Sequence, residues 1–159
     1  MSGLEKAVVW LLAGGLTMGL MEGWSAVLHG RIWHGPLWRL HRSHHRPSDS
    51  AFELNDSLSV THAPIAMALI LFGCLGAPGL PREFAFGVGL GMTLFGLAYV
   101  IVHDGFIHGR LPCAWLGRFG VMRRIRNAHL IHHRQNGPPY GLFLGPMALR
   151  RRNDRRRRQ

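Results

Sequence analysis

Three long apolar stretches leave this chain few ways to fold. The first runs from Ala7 to Leu28, interrupted only by Glu22; the second runs from Leu58 to Leu75, and the third from Phe84 to Val102. A helix of about 20 apolar residues crosses the hydrocarbon core of a bilayer, and a soluble chain of 159 residues rarely carries so much uninterrupted apolar sequence. Each stretch is therefore expected to be a membrane-spanning helix. The second ends in the turn-rich run Gly76-Ala77-Pro78-Gly79-Leu80-Pro81, and the third places Gly87 and Gly91 at the spacing that lets helices approach closely. Leu111–Met122 and Tyr140–Leu149 are too short to cross alone. They are expected at the interface, with a re-entrant fourth span as the alternative. Met1–Glu5 offers no basic region before Lys6 and no small-residue cleavage site follows, so the first stretch reads as a permanent span rather than a signal peptide.

Charge sets the expected orientation. Lys+Arg number 19 against 8 Asp+Glu, and every one of the 19 except Lys6 is arginine. Arg31, Arg39, Arg42 and Arg46 follow the first span, and the remaining arginines except Arg82 lie from Arg110 onward. Basic flanks stay in the cytoplasm, which places both Arg-rich segments there. So basic a chain suggests nucleic acid, but the long apolar runs exclude that reading. The run Arg150-Arg151-Arg152-Asn153-Asp154-Arg155-Arg156-Arg157-Arg158 is expected to be a disordered tail on the anionic leaflet, giving a domain of residues 1–149 and a tail of 150–159. Cys74 and Cys113 form no C-x-x-C pair and read as small apolar filler.

Ten of the 11 histidines fall into one pattern that occurs twice. His29-x4-His34 is followed by His41-x2-His44-His45, and His103-x4-His108 by His129-x2-His132-His133. Neutral imidazole is the commonest protein metal ligand, and ten are about right for two ions. With three spans, both blocks emerge on the cytoplasmic side that charge had already selected. Positions i, i+3 and i+4 share a helix face, so His41, His44 and His45 are expected to converge on one site, and His129, His132 and His133 on another. Residues five apart lie about 140° apart on a regular helix. The pairs His29/His34 and His103/His108 can therefore share a site only where the helix ends or distorts. Gly30, Gly35-Pro36, Gly105 and Gly109 provide the means, and the first histidine of each pair is expected to cap a membrane helix with the second in the turn beyond. His62 fits neither copy and reads as a hydrogen-bonded interfacial residue. Asp104 is adjacent to His103 and placed to orient its imidazole. Glu22, two turns before His29, either does the same or faces the bundle interior.

These histidines, with Leu37-Trp38-x2-Leu40-His41, Phe52-Glu53-Leu54-Asn55-Asp56, His103-Asp104-Gly105 and Tyr140-Gly141-x2-Leu144-Gly145-Pro146, closely resemble the bacterial β-carotene hydroxylases. Those enzymes belong to the membrane fatty acid hydroxylase superfamily. The resemblance covers Trp24 to Pro146; the histidine pattern alone marks the superfamily, and the Phe-Glu-Leu-Asn-Asp and His-Asp-Gly segments mark the carotenoid branch. It implies an all-α integral membrane protein of the bacterial inner membrane with three or four transmembrane helices and a cytoplasmic histidine-rich metal-binding cap. It also implies two non-haem iron ions held by the ten histidines, O2 as co-substrate, and hydroxylation at C3 of the β-ionone rings of a carotenoid drawn from the bilayer. Asn55 and Asp56 are expected to support the ligands, and Phe52, Phe106 and Tyr140 to line the substrate's path unless they are ordinary packing. No G-x-G-x-x-G fingerprint follows a strand, so electrons are expected from outside, from an acidic ferredoxin-type donor and its reductase docking on the basic face. The rivals are a fatty-acid or sterol hydroxylase or desaturase of the same superfamily, and a membrane metal-binding or transport protein. A transporter would place its ligands at the bilayer midplane within broken helices.

Overall fold

The structure is a computed structural model, and it describes residues 1–46 and 52–158. Among these residues the chain is all helical. The elements are α1 (Gly3–Val27), α2 (Trp38–His41), α3 (Asp56–Ser59), α4 (Ala63–Leu75), α5 (Leu80–Tyr99), α6 (Gly120–Gln135) and α7 (Gly145–Arg156). Both α1 and α5 continue into a π-helical segment, over Leu28–Trp33 and Val100–Ile107, and a 3-10 turn over Ala114–Arg118 precedes α6.

Three helices are long and apolar enough to cross a membrane: Gly3–Trp33, Asp56–Leu75 and Leu80–Ile107. The expected spans are all present, and the first and third run further than hydropathy suggests. Their extra turns carry His29 and the His103-Asp104 pair, polar residues that an apolar pattern reads as an end. Neither candidate fourth span is a helix of that kind. Leu111–Met122 holds the 3-10 turn and the start of α6, and Tyr140–Leu149 is a loop entering α7.

The chain divides into two compact units, Met1–Met21 with Asp56–Ala98, and Glu22–Asn55 with Tyr99–Gln159. In the first unit, glycines bring the helices together. A Cβ on Gly91 would overlap the Gly14 carbonyl oxygen of α1, and one on Gly87 would lie 2.9 Å from the Ala13 Cβ. On another side of α5, a Cβ on Gly89 would lie 2.9 Å from Ile70 of α4. Lipid tails are as apolar as leucine, so such close backbone contact, rather than water exclusion, holds spanning helices together. Leu11, Leu12 and Leu16 accordingly stay exposed. One charge is buried here: Glu83 accepts from Trp10 Nε1 at 2.9 Å and pairs with Arg82 at 2.7 Å. Gly91→Val should force α1 away from α5 and cost at least the ~1–3 kcal/mol typical of overpacking. A lowered melting temperature in detergent would show it.

The second unit is built around α6. Its apolar core joins Val102, Phe106 and Ile107 of the second π segment to Leu116, Ile125 of α6 and Leu142. Asn136 takes a left-handed conformation (φ 50°) and ends α6. The loop that follows is anchored by Glu22, whose Oε1 accepts from the Leu144 N–H at 2.9 Å. The chain then enters α7, with Pro146 in its first turn, where a proline's missing donor costs nothing. The disordered tail expected from residue 150 is instead helical through Arg156. Arginine is a good helix former, and Arg152 pins the helix by donating to Pro138 O at 2.8 Å and Gln135 Oε1 at 3.0 Å.

Candidate metal centre

The π-helical segments resolve the problem of histidines five apart. In each, the amide five residues on closes the turn: His34 N–H donates to His29 O at 3.0 Å, and His108 N–H to His103 O at 3.0 Å. This wider ring rotates each residue less than an α-turn does, so positions five apart return to one side. The helices distort between the paired histidines and do not stop at the first of them, as capping would require. His34 and His108 are the residues that follow the π segments.

Nine of the ten patterned histidines come together in two sets, and the tenth adjoins the second. The ligand atoms of His29, His34, His41, His45 and His132 all lie within 4.8 Å of one another, and so do those of His44, His103, His108 and His129. His133 adjoins the second set with its Nε2 2.8 Å from that of His129, and its ring stacks on His45 at 4.3 Å. The expected partition is thus corrected: the middle histidine of each H-x2-H-H unit crosses over. His44 joins the set of the second block and His132 that of the first. Helix geometry gives the reason. At about 100° per residue, the i and i+4 positions diverge by about 40° while i+3 and i+4 diverge by about 100°. His129 and His133 therefore point one way and His132 another.

The hydrogen bonds decide what these nitrogens can do. His29 Nδ1 donates to Tyr140 O at 2.9 Å, His41 Nδ1 to Asn55 Oδ1 at 2.7 Å, and His132 Nδ1 to Gly137 O at 2.7 Å. His103 Nδ1 donates to Asp104 Oδ1 at 2.7 Å and His44 Nδ1 to Glu53 Oε2 at 3.3 Å. Each acceptor places the single proton of a neutral imidazole on Nδ1 and leaves a lone pair on Nε2. Yet His29 Nε2 faces His41 Nε2 at 3.0 Å, and His44 Nε2 faces His103 Nε2 at 3.0 Å. With neither partner carrying a proton, these contacts are lone pair against lone pair. A cation between them turns repulsion into coordination, and 3.0 Å suits neighbouring ligands about 2.1 Å from one ion. The donor set is therefore one suited to holding a metal ion. All-imidazole nitrogen suits iron, zinc or copper.

Seven of the rings are also held neutral. Burial, then repulsion from His132, lowers His34 to about 3, and burial lowers His41 and His132 to about 4. Burial and His103 bring His108 to about 3, and burial and His45 bring His133 to about 2. His44 and His129 are pushed down in the same way, first by burial and next by His103. At neutral pH the Nε2 lone pairs are free to bind.

The other expected site residues divide. Asn55 and Asp104 accept from the imidazoles of His41 and His103. Glu22 touches no histidine through its Leu144 bond; it secures the loop whose Tyr140 carbonyl orients His29. Asp56 begins α3. Phe106 is 6% exposed within the apolar core, so its place is packing rather than a substrate path. Phe52 is 83% exposed. Tyr140 does stand at the centre, its ring 5.3 Å from His34 and 5.5 Å from His132. His62 belongs to neither set and contacts Thr61 Oγ1 at 3.3 Å. Glu53 was passed over although it lies in a quoted motif, and the Gly137 and Tyr140 carbonyls have no sequence signature. Asp104→Asn weakens the acceptor that fixes His103. A loss of about 10–100-fold in metal affinity is expected, measurable by chelator competition.

A beta-carotene 3-hydroxylase of Arabidopsis thaliana is 43% identical over 145 residues, 90% of this chain and 47% of that protein. One from an Oncidium hybrid cultivar is 46% identical over 147 residues, 91% of this chain and 48% of its own. A beta-carotene hydroxylase of Pseudescherichia vulneris is 43% identical over 122 residues, 77% of this chain and 66% of its own. The chain spans about half the length of the plant relatives it matches. No solved structure matches it. The family model for fatty acid hydroxylase matches residues 15–147. That range takes in all ten patterned histidines, and the chain belongs to the fatty acid hydroxylase family.

Proposed function

We propose that this chain is a β-carotene 3-hydroxylase of the bacterial inner membrane, acting on C3 of the β-ionone rings to give β-cryptoxanthin and zeaxanthin. The observation that carries the reading is the pair of buried Nε2 sets whose lone pairs face one another. The names of the related proteins support the carotenoid as substrate. The reaction balances as R–H + O2 + 2 e⁻ + 2 H⁺ → R–OH + H2O. Two iron ions, one in each set, would supply the O2 chemistry that no side chain here offers.

The chain's own residues hold and shield that centre. Asn55, Asp104, Glu53 and the Tyr140 and Gly137 carbonyls fix five imidazoles with Nδ1 protonated. His41 and His132 are fully buried, which keeps water from the ligand atoms. The carotenoid enters from the bilayer. Electrons come from a ferredoxin-type donor and its reductase, drawn to the exposed arginines Arg123, Arg126 and Arg134 of α6 on the cytoplasmic side.

Pigment analysis of β-carotene-producing bacteria expressing the chain tests this. Cryptoxanthin and zeaxanthin should appear with the parent and not with the His44→Ala variant. Unchanged β-carotene beside hydroxylated fatty acids or sterols would move the substrate to another branch of the family.

A further inference from the structure

An open groove of about 480 Å³ runs between α6 and α7, and the metal centre does not use it. Arg124 and Asn127 of α6 line one side, and Arg150 and Asn153 of α7, with Arg157 just past its end, the other. Spacings of three and four residues along α7 bring 150, 153, 154 and 157 onto one face. Met147, Leu149 and Ala128 supply an apolar lining. Asp154 is the single carboxylate among the lining residues. No ion pair is recorded for it or for the three arginines among the described residues. Three exposed guanidinium groups thus face one groove with their charge unbalanced. The volume falls within the ~300–1,000 Å³ of small-molecule sites.

We propose that this groove binds the phosphodiester headgroup of an anionic membrane lipid. Guanidinium is the side chain best matched to phosphate oxygens, which it meets with paired, charge-assisted bonds. The apolar lining suits the glycerol and first methylenes of a lipid better than a free inorganic ion. α6 packs through Ile125 on Val102, Phe106 and Ile107, the last residues of the third apolar helix, so the groove and the end of that helix belong to one compact unit. A bound phosphate also cancels the repulsion between Arg124 and the arginines of α7. It thereby fastens α7 to the helix that carries His129, His132 and His133.

The test uses the full chain purified in neutral detergent from bacteria, with retained phospholipid quantified by extraction and mass spectrometry. Arg124→Gln/Arg150→Gln/Arg157→Gln is compared with Arg151→Gln/Arg155→Gln/Arg156→Gln, which removes equal charge from another part of α7. The parent and the second variant should retain phosphatidylglycerol. The first should lose it by about tenfold or more, given three charge-assisted contacts. Added phosphatidylglycerol, and not phosphatidylcholine, should raise the melting temperature of the parent and not of the first variant. Equal retention by both variants, whether high or low, overturns the site in favour of diffuse surface charge. Displacement of the lipid from the parent by millimolar inorganic phosphate overturns the lipid assignment.

Discussion

Replacing His132 with alanine is expected to disable the nitrogen set built chiefly from the first histidine block, even though His132 lies in the second. Its Nε2 stands 3.2 Å from that of His34, and its ring lies 4.5 Å from that of His29. His44→Ala should do the converse, since His44 Nε2 lies 3.0 Å from His103 Nε2. Activity in either variant should fall by more than the ~10–100-fold that losing an orienting partner costs. Metal content separates the two. Each variant should lose about one ion, from the set opposite to the block in which the substitution was made, and retain the other. Chelator competition on both proteins, with iron counted per chain, reads this directly.

The second large effect is expected at a residue with no side chain. A Cβ on Gly30 would lie 2.5 Å from the Tyr140 ring, well inside contact distance. Gly30→Val must therefore push Tyr140 aside, and with it the carbonyl that accepts the His29 Nδ1 proton. Releasing that imidazole should cost about 10–100-fold in metal affinity or activity. Tyr140→Phe keeps the ring and the backbone carbonyl, so it should bind metal as the parent does. Tenfold or greater loss in Gly30→Val beside near-parental Tyr140→Phe is the expected result. Equal loss in both would assign the role to the hydroxyl instead.

The contrast between these two sites explains what a sequence of this kind reveals. Spans follow from hydropathy because a bilayer demands about 20 apolar residues of helix whatever the packing. Their ends do not, because His29, His103 and Asp104 continue a helix that their polarity seems to finish. The ten histidines stand out by spacing alone. Their assignment to two sets does not, because it depends on where α6 and the turns after α2 aim successive side chains. Asp104 was legible by adjacency to His103, and Asn55 only through its motif. The Tyr140 and Gly137 carbonyls were not legible at all, since every residue has one. Glu22 stands out in sequence as an acid at membrane depth, but its partner, Leu144, is 122 residues away. Phe106 was left open between packing and site, because an aromatic residue beside the histidine pattern serves both equally well until its packing is known. The arginine run reads as disordered by charge, but the bonds of Arg152 and the proline start of α7 give the helix a place to dock.

Locating metal by anomalous diffraction at the iron edge, on the purified full-length chain, tests the central claim most directly. Two peaks are predicted. One should lie about 2.1 Å from the Nε2 atoms of His29, His34, His41, His45 and His132, and the other at that distance from those of His44, His103, His108 and His129. A single ion, or two ions each held by only one histidine block, would contradict it.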